Sequence, residues 1–87
     1  MVKIVLTWIE KEILWAIKDG FFFGEITTMN EPEKIQYILP FYGEVRNRYV
    51  ERLVKNNLIS PLPINEEGFL KFKITQNGLQ ILEEMGR

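Results

Sequence analysis

The feature that most constrains the fold of this 87-residue chain is the stretch 42–59, YGEVRNRYVERLVKNNLI. On a wheel of about 100° per residue its apolar and cationic residues separate onto two sides, which predicts an amphipathic helix over about residues 43–57. The apolar side holds Tyr49, Val50, Leu53 and Val54, and the cationic side holds Arg48, Arg52 and Lys55. Asn56 and Asn57 are expected to end the helix, because Asn ranks after Gly at left-handed C-terminal caps.

The three cations have the spacing i, i+4 and i+7, which places them in one row along the helix. Glu44 and Glu51 lie four residues before Arg48 and Lys55, so each predicts an intrahelical ion pair. Arg52 has only like charges at these spacings. An external anion would therefore relieve the repulsion around Arg52.

A first helix is predicted from Trp8 to near Gly20, because Thr7 and Glu10 fit a capping box and glycine favours a helix end. Its core stripe is expected to hold Ile9, Ile13, Ala16 and Ile17. Trp8 and Trp15 lie about a quarter turn away, and Leu14 lies on the far side. The tryptophans either cover the core from the side or form a dimer interface.

The middle of the chain predicts a helix-turn-helix. Phe21, Phe22 and Phe23 lie between glycines and are read as a short strand or a buried connector. Residues 25–30 are read as a polar loop, and residues 31–39 as a second helix that buries Ile35, Ile38 and Leu39, with Thr28 or Asn30 as its N-cap. Pro40 ends this helix, and residues 41–43 form a glycine-containing turn into the next one.

The last third predicts a two-stranded ribbon and a closing helix. Residues 60–64 contain two prolines and suit only an edge strand or an unpaired arm, and residues 65–68 form a tight acidic turn. In the return strand, 69–75, Leu70, Phe72 and Ile74 are expected to face inward and Lys71 and Lys73 outward. Thr75 is expected to cap the final helix, which carries Leu79, Ile81, Leu82 and Met85.

The order of helix, ribbon and closing helix, together with two short motifs, resembles the winged helix-turn-helix family, and in particular small transcription regulators of the MarR and PadR types. The first motif is Leu53, three residues, then Asn57-Leu58-Ile59, with Asn where the family commonly has Gly; the second is Ile74-Thr75-Gln76-Asn77-Gly78. The resemblance covers roughly residues 31–85. The chain departs from the family at Arg46, which occupies a usually apolar position and either snorkels to the surface or indicates a rotated helix.

The resemblance implies one α+β winged-helix domain over residues 1–87, with a three-helix core, an antiparallel sheet of two to three strands and a C-terminal helix. The strand near Phe21–Phe23 would pair with the ribbon. The helix at 43–57 would enter the major groove of double-stranded DNA, and a homodimer would read two half-sites about one helical turn apart. Base readout is expected of Asn47 and Arg48, with Glu44, and phosphate contact of Arg52, Lys55, Lys71 and Lys73. The expected dimer interface is Trp8, Leu14, Trp15, Leu82 and Met85.

Composition limits the function classes. The net charge of −1 argues mildly against nucleic acid, but residues 45–57 and 69–75 together hold six cations and one anion. The chain has no histidine and no cysteine, which excludes imidazole and thiolate chemistry, so no enzyme, metal or cofactor is expected. No apolar run approaches the roughly 18 residues of a membrane span, and a soluble cytoplasmic protein is expected.

Two further functions remain open. The chain could be a winged-helix protein-interaction module without DNA binding, with Trp8, Leu14 and Trp15 as the contact surface. It could also be a regulator in which Phe21–Phe23 lines a pocket for a small molecule, although the sequence indicates no particular effector.

Overall fold

Three helices and five strands make up the described part of the chain, and the computed structural model describes residues 5–27 and 34–85. In chain order they are α1 (Trp8–Asp19), β1 (Phe23–Thr27), β2 (Lys34–Leu39), β3 (Gly43–Val45), α2 (Asn47–Lys55), β4 (Ile59–Pro61), β5 (Phe69–Ile74) and α3 (Gln76–Met85). The α+β class is confirmed. The sheet has five strands rather than the expected two or three.

The strands form one antiparallel sheet in the order β3-β2-β1-β5-β4. Tyr37, Phe72 and the neighbouring Phe22 are buried on the side of the helices, with ring centroids 5.8–6.1 Å apart. Lys71 and Lys73 alternate with Phe72 on β5 and are exposed, as expected. All helices that contact the sheet therefore lie on the face that carries Phe72, and the lysines lie on the other face.

The limits of α1 agree with the prediction. The Oγ1 atom of Thr7 accepts from the backbone N–H of Glu10 at 3.4 Å, and the N–H of Thr7 donates to the Glu10 carboxylate at 2.9 Å. Gly20 ends the helix with φ 83°. The prediction that Leu14 lies on an outer face was wrong, because this side chain is 0% exposed. α1 contacts β5, α2 and α3, so it is covered on more sides than one core stripe requires.

The predicted second helix was wrong over its described residues. Residues 34–39 form β2, which pairs with β1 in the register Phe23↔Ile38. Ile35, Tyr37 and Leu39 alternate along β2 toward the core, a period of two that suits a strand and not a helix. Glu25 also belongs to a strand, β1, and not to a loop. The expected caps Thr28 and Asn30, and the start of the predicted helix, lie outside the described residues.

The predicted helix-turn-helix is replaced by a hairpin followed by a helix. Residues 39–42 form a β-turn closed by a hydrogen bond from Tyr42 N–H to the Leu39 carbonyl at 3.1 Å. The chain then pairs with β2 as β3, so α2 begins at Asn47 and the expected start near residue 43 was wrong. Arg46 is the N-cap residue of α2, and its side chain is exposed outside the helix.

The end of α2 agrees with the prediction. Asn57 has the left-handed φ of 59°, and the next N–H, of Leu58, donates to the Leu53 carbonyl at 3.0 Å. The N–H of Asn57 donates to Val54 at 3.0 Å, which completes a Schellman motif. The asparagine thus takes the conformation for which the family commonly uses glycine.

The ribbon and the closing helix also agree with the prediction. β4 is an edge strand, and the Asn65 side chain closes the turn by accepting from the N–H groups of Glu67 and Phe69 at 3.0 and 2.9 Å. The Oγ1 atom of Thr75 accepts from Gly78 N–H at 3.1 Å and so caps α3. β1 pairs with β5, as expected for the strand near Phe21–Phe23, although it begins only at Phe23.

The two short motifs contact each other. Thr75 donates its N–H to the Leu58 carbonyl at 3.0 Å and its hydroxyl to the Asn57 carbonyl at 2.6 Å. A Cβ atom at Gly78 would overlap the carbonyl oxygen of Leu58. The motif glycine therefore leaves room for the backbone that follows α2, and the contact fixes α3 against the end of that helix.

Candidate functional site

The exposed face of α2 forms a shallow depression of about 440 Å³. Its lining residues are Arg48, Glu51, Arg52, Lys55 and Asn56. Three cations surround a single carboxylate in this depression, so its charge favours an anionic ligand.

Arg52 is tied to α1. Its guanidinium donates to the Glu10 carboxylate at 2.6 Å and to the Val5 carbonyl at 2.8 Å. Glu10 is 0% exposed, whereas the side chain of Arg52 is 43% exposed. The helical wheel showed no partner for Arg52 because this partner lies 42 residues earlier in the chain. The ion pair fixes the position of α2 on α1 and partly neutralises this cation.

The carboxylate of Glu10 is held unevenly. One oxygen, Oε1, accepts from Arg52 and from both the N–H and the hydroxyl of Thr7. The other oxygen, Oε2, is buried and has no hydrogen-bond partner among residues 5–27 and 34–85. The charge of Glu10 therefore depends on Arg52 for most of its compensation.

Arg48 and Lys55 form no ion pair with the described residues. The Arg48 guanidinium lies 5.2 Å from the centre of the Tyr49 ring and donates to its hydroxyl at 3.4 Å. Within the described ranges the Arg52–Glu10 ion pair stands alone, so the expected Glu51–Lys55 pair is absent. The expected Glu44–Arg48 pair was wrong because Glu44 lies on β3, opposite Ile38, and not on the helix.

The first turn of α2 is unprotected. The N-cap Arg46 makes no side-chain hydrogen bond to the helix, and no acidic residue lies in the first turn. No side chain therefore caps the positive end of the α2 dipole, although the N–H of Tyr49 donates to the Arg46 carbonyl at 3.2 Å. Asn47 and Arg48 are exposed at this end of the helix.

Lys71 and Lys73 do not lie in this row. They project from the sheet face opposite the helices, whereas α2 packs on the face that holds the core. The structure thus brings Arg48, Arg52 and Lys55 together but leaves these two lysines on another surface. This placement does not support the expected phosphate contacts of Lys71 and Lys73 with a duplex bound by α2.

The charge of Glu51 on α2 acts on Tyr37 of the sheet. Burial raises the pKa of the Tyr37 hydroxyl above its ordinary value, and the negative charge of Glu51 raises this pKa further. Tyr37 lies on β2, so this acidic residue of α2 faces the base of the β2–β3 hairpin. Its role at the surface is to reduce the positive charge of the depression.

A second exposed feature was missed by the sequence analysis. Trp8 packs edge-on against Tyr42 with ring centroids 5.6 Å apart, and the neighbouring Phe41 is fully exposed. We call Trp8, Phe41 and Tyr42 the aromatic tip. The sequence predicts only a turn at residues 41–43, although two aromatic residues between proline and glycine are a signal for an exposed aromatic pair.

The expected dimer residues divide between core and surface. Leu14 and Leu82 are buried within the protomer, so their assignment to an interface was wrong. Trp15 is half-buried under the ammonium group of Lys18, 5.0 Å from its ring. Trp8 and Met85 are exposed, which leaves them as the accessible members of the set.

Phe21, Phe22 and Phe23 lie in three different environments. Phe22 is buried against Tyr37, Phe23 meets Phe69 edge-on at 5.2 Å, and Phe21 is exposed. The ring of Phe22 thus fills the core, and the expectation of a ligand pocket formed by the three together has no support in this arrangement.

The described part of the chain contains neither a candidate metal site nor a candidate membrane-spanning helix. It contains no group of three acidic, histidine or cysteine side chains placed to hold a metal ion. None of its helices has the length and apolar character needed to cross a bilayer. No protein-family model, curated protein or solved structure matches the chain. Function is therefore inferred from the exposed side chains.

Proposed function

We propose that the protein binds double-stranded DNA through α2, with the exposed face of this helix in the major groove. The observation that carries the proposal is the pair of cations without an ion pair, Arg48 and Lys55, on one helix whose positive N-terminal end has no side-chain cap. Helix N-termini and arginine or lysine side chains are the groups with which proteins bind DNA phosphates.

The residues of α2 divide by their position along the helix. Asn47 and Arg48, in the first turn, suit the edges of adenine and guanine. Lys55, in the last turn, suits a phosphate. Nine residues give a helix of roughly 13 Å, so α2 reaches only a few base pairs.

Arg52 has two roles in this proposal. Two of its N–H groups bind Glu10 and Val5, and an arginine has five. The remaining N–H groups of this half-exposed side chain are available to a phosphate. Its structural role makes Arg52 a poor site for testing DNA contact, because its loss also disturbs the position of α2.

The arrangement around α2 supports a relation to winged helix-turn-helix regulators. The strands β1, β5 and β4 are adjacent in that order, α2 precedes the ribbon, and α3 follows it. In this proposal the β2–β3 hairpin takes the place of the second helix of the family. Sequence-specific regulation of transcription is the role that such a domain would serve.

The test is the fluorescence anisotropy of a labelled mixed-sequence duplex at about 50 and 200 mM salt. The Arg48→Ala/Lys55→Ala variant should bind at least tenfold more weakly than the wild type, with a shallower salt dependence. Lys71→Ala/Lys73→Ala is the matched control, since it removes the same charge from the opposite sheet face.

Two results of this assay would contradict DNA binding by α2. Equal loss in the two double variants would show that binding follows overall charge and not this helix. No binding of the wild type at 50 mM salt would overturn the proposal and favour the protein-interaction module, for which the exposed Trp8 is the supporting observation.

We retain the homodimer as part of the proposal, with Trp8 and Met85 as its accessible residues. Large apolar side chains such as these contribute most of the binding energy at protein interfaces. Light scattering at about 100 μM measures whether the dimer forms. A dimer weakened by Trp8→Ala would support the interface, and a monomer at this concentration would remove it.

A further inference from the structure

Phe41 has a backbone conformation that its side chain does not favour. It follows Pro40 in the turn that joins β2 to β3, with φ 66° and the turn hydrogen bond from Tyr42 to Leu39. Proline at the second position and positive φ at the third define a type II turn, in which the third position favours Gly or Asn. A bulky residue there is a genuine outlier.

Among residues 5–27 and 34–85, no ring contact or hydrogen bond to the Phe41 side chain offsets this strain. The Phe41 side chain is fully exposed and has no ring contact in the described part of the chain. Folding alone would therefore be served better by glycine at this position. A strained residue that the rest of the protein does not use is grounds for a functional hypothesis.

The turn presents Phe41 rigidly. Pro40 fixes the preceding backbone angle, and β2 and β3 pair on either side of the turn. Tyr42 is held by its edge-on contact with Trp8. The backbone of Phe41 is therefore held in place before binding, so it loses little conformational entropy on binding.

The aromatic tip and α2 are both linked to residues at the start of α1. Val5 accepts a hydrogen bond from Arg52 and lies three residues before Trp8, which contacts Tyr42. Only β3 and Arg46 separate the turn from α2. At about 3.3 Å per extended residue, Phe41 lies at most about 16 Å along the chain from Arg46, the length of about five base pairs.

We propose that Phe41 is a wedge that inserts between base pairs of the duplex beside the segment held by α2. The inference rests on the proposed DNA binding. Apolar side chains that enter base steps unstack them and bend the duplex, and one side chain is enough. A protein partner is less favoured, because a stable interface buries about 800 Å² on each side whereas the tip offers few side chains.

The test compares Phe41→Gly and Phe41→Leu with the wild type in the same anisotropy assay. Phe41→Gly should keep or raise the thermal midpoint while weakening DNA binding about tenfold. Its salt dependence should stay unchanged, because no phosphate contact is lost. Phe41→Leu keeps an apolar wedge and should recover most of the affinity. Ile64→Ala is the control, an exposed apolar residue next to the ribbon turn at the other end of the sheet.

A duplex carrying 2-aminopurine reports insertion directly. The fluorescence of this base should rise when wild-type protein unstacks it and should not rise with Phe41→Gly. Wild-type affinity in Phe41→Gly would overturn the wedge and leave DNA binding by α2 intact. Loss in Phe41→Gly together with a lowered thermal midpoint would assign Phe41 to the fold and also overturn the inference. If the wild type does not bind DNA at 50 mM salt, the proposed function itself fails. If only the wedge fails, the wild type still binds and Arg48→Ala/Lys55→Ala still weakens that binding.

Discussion

α2 and the β2–β3 hairpin carry neighbouring parts of one exposed surface, but they are held in place by opposite means. α2 is fixed through a residue of its exposed cationic row, because Arg52 also compensates the buried Glu10. The hairpin is fixed at its base by Tyr37 and the strand pairing, while the side chain of Phe41 at its tip is fully exposed.

This difference predicts where stability and binding can be separated. At Arg52 any substitution changes both, because the same guanidinium anchors the helix and faces solvent. At Phe41 a change to glycine is expected to keep or raise stability and to weaken DNA binding. Four stability measurements, in order of decreasing effect, test this contrast.

The largest effect is expected for Arg52→Ala. This change leaves the buried Glu10 carboxylate without its cation, which costs about 3 kcal/mol or more for fully buried pairs. Because Arg52 is 43% exposed, water can replace part of the interaction, and we expect about 2–3 kcal/mol by urea denaturation. Glu10→Gln should cost less, since no buried charge is left.

Arg48→Ala provides the matched control for this prediction. It removes an arginine from the same helix but leaves no carboxylate unpaired, so stability should change by no more than about 0.5 kcal/mol. Equal losses in Arg48→Ala and Arg52→Ala would contradict an anchoring role for the Glu10 pair.

A smaller loss, about 2 kcal/mol, is expected for Gly24→Ala at the base of the hairpin. A Cβ atom at residue 24 would lie 2.8 Å from the Tyr37 ring and 2.9 Å from the Ile35 side chain. The ring of Tyr37 is packed in the core and cannot move away freely. Thermal unfolding followed by circular dichroism measures the loss, and a neutral change would show that the hairpin base is loosely packed.

Trp8→Ala should cost about 1 kcal/mol, the range of an edge-on aromatic pair. Relative to the wild type, amide hydrogen exchange should accelerate more in β3 than in β5, because Tyr42 leads into β3. Phe41→Gly is the comparison within the same turn and should not destabilise β3. Uniform exchange throughout the sheet after Trp8→Ala would mean that the aromatic pair does not hold the hairpin.

The parts of the fold that could be predicted depend on signals a few residues apart. The capping box of α1, the left-handed Asn57 and the alternation around Phe72 each involve neighbours in sequence. The two family-like motifs belong to this group, and they contact each other through Thr75 and Leu58.

The middle of the chain could not be predicted in this way. β2 carries the alternation of Ile35, Tyr37 and Leu39, but the residues before it resemble the first turn of a helix. Pairing with β1 and β3 decides the outcome, and these partners are not visible in a local pattern. The Arg52–Glu10 pair was missed for the same reason, because a helical wheel shows only partners on its own helix.

The smallest effect concerns Tyr37, where the hairpin base meets Glu51 of α2. Its pKa is raised above 10.0 by burial and by the Glu51 charge, so folding favours the neutral phenol. Below pH 10 the phenol is neutral in both the folded and the unfolded chain, and no dependence on pH follows. As the pH rises above 10 the unfolded chain loses its proton first, so stability falls until the folded pKa is passed. Denaturation in urea between pH 9 and 11 should show this fall in the wild type and a smaller fall in Tyr37→Phe. Tyr42→Phe, at the exposed end of the hairpin, should behave like the wild type, and an equal reduction in both variants would contradict the assignment to the buried residue.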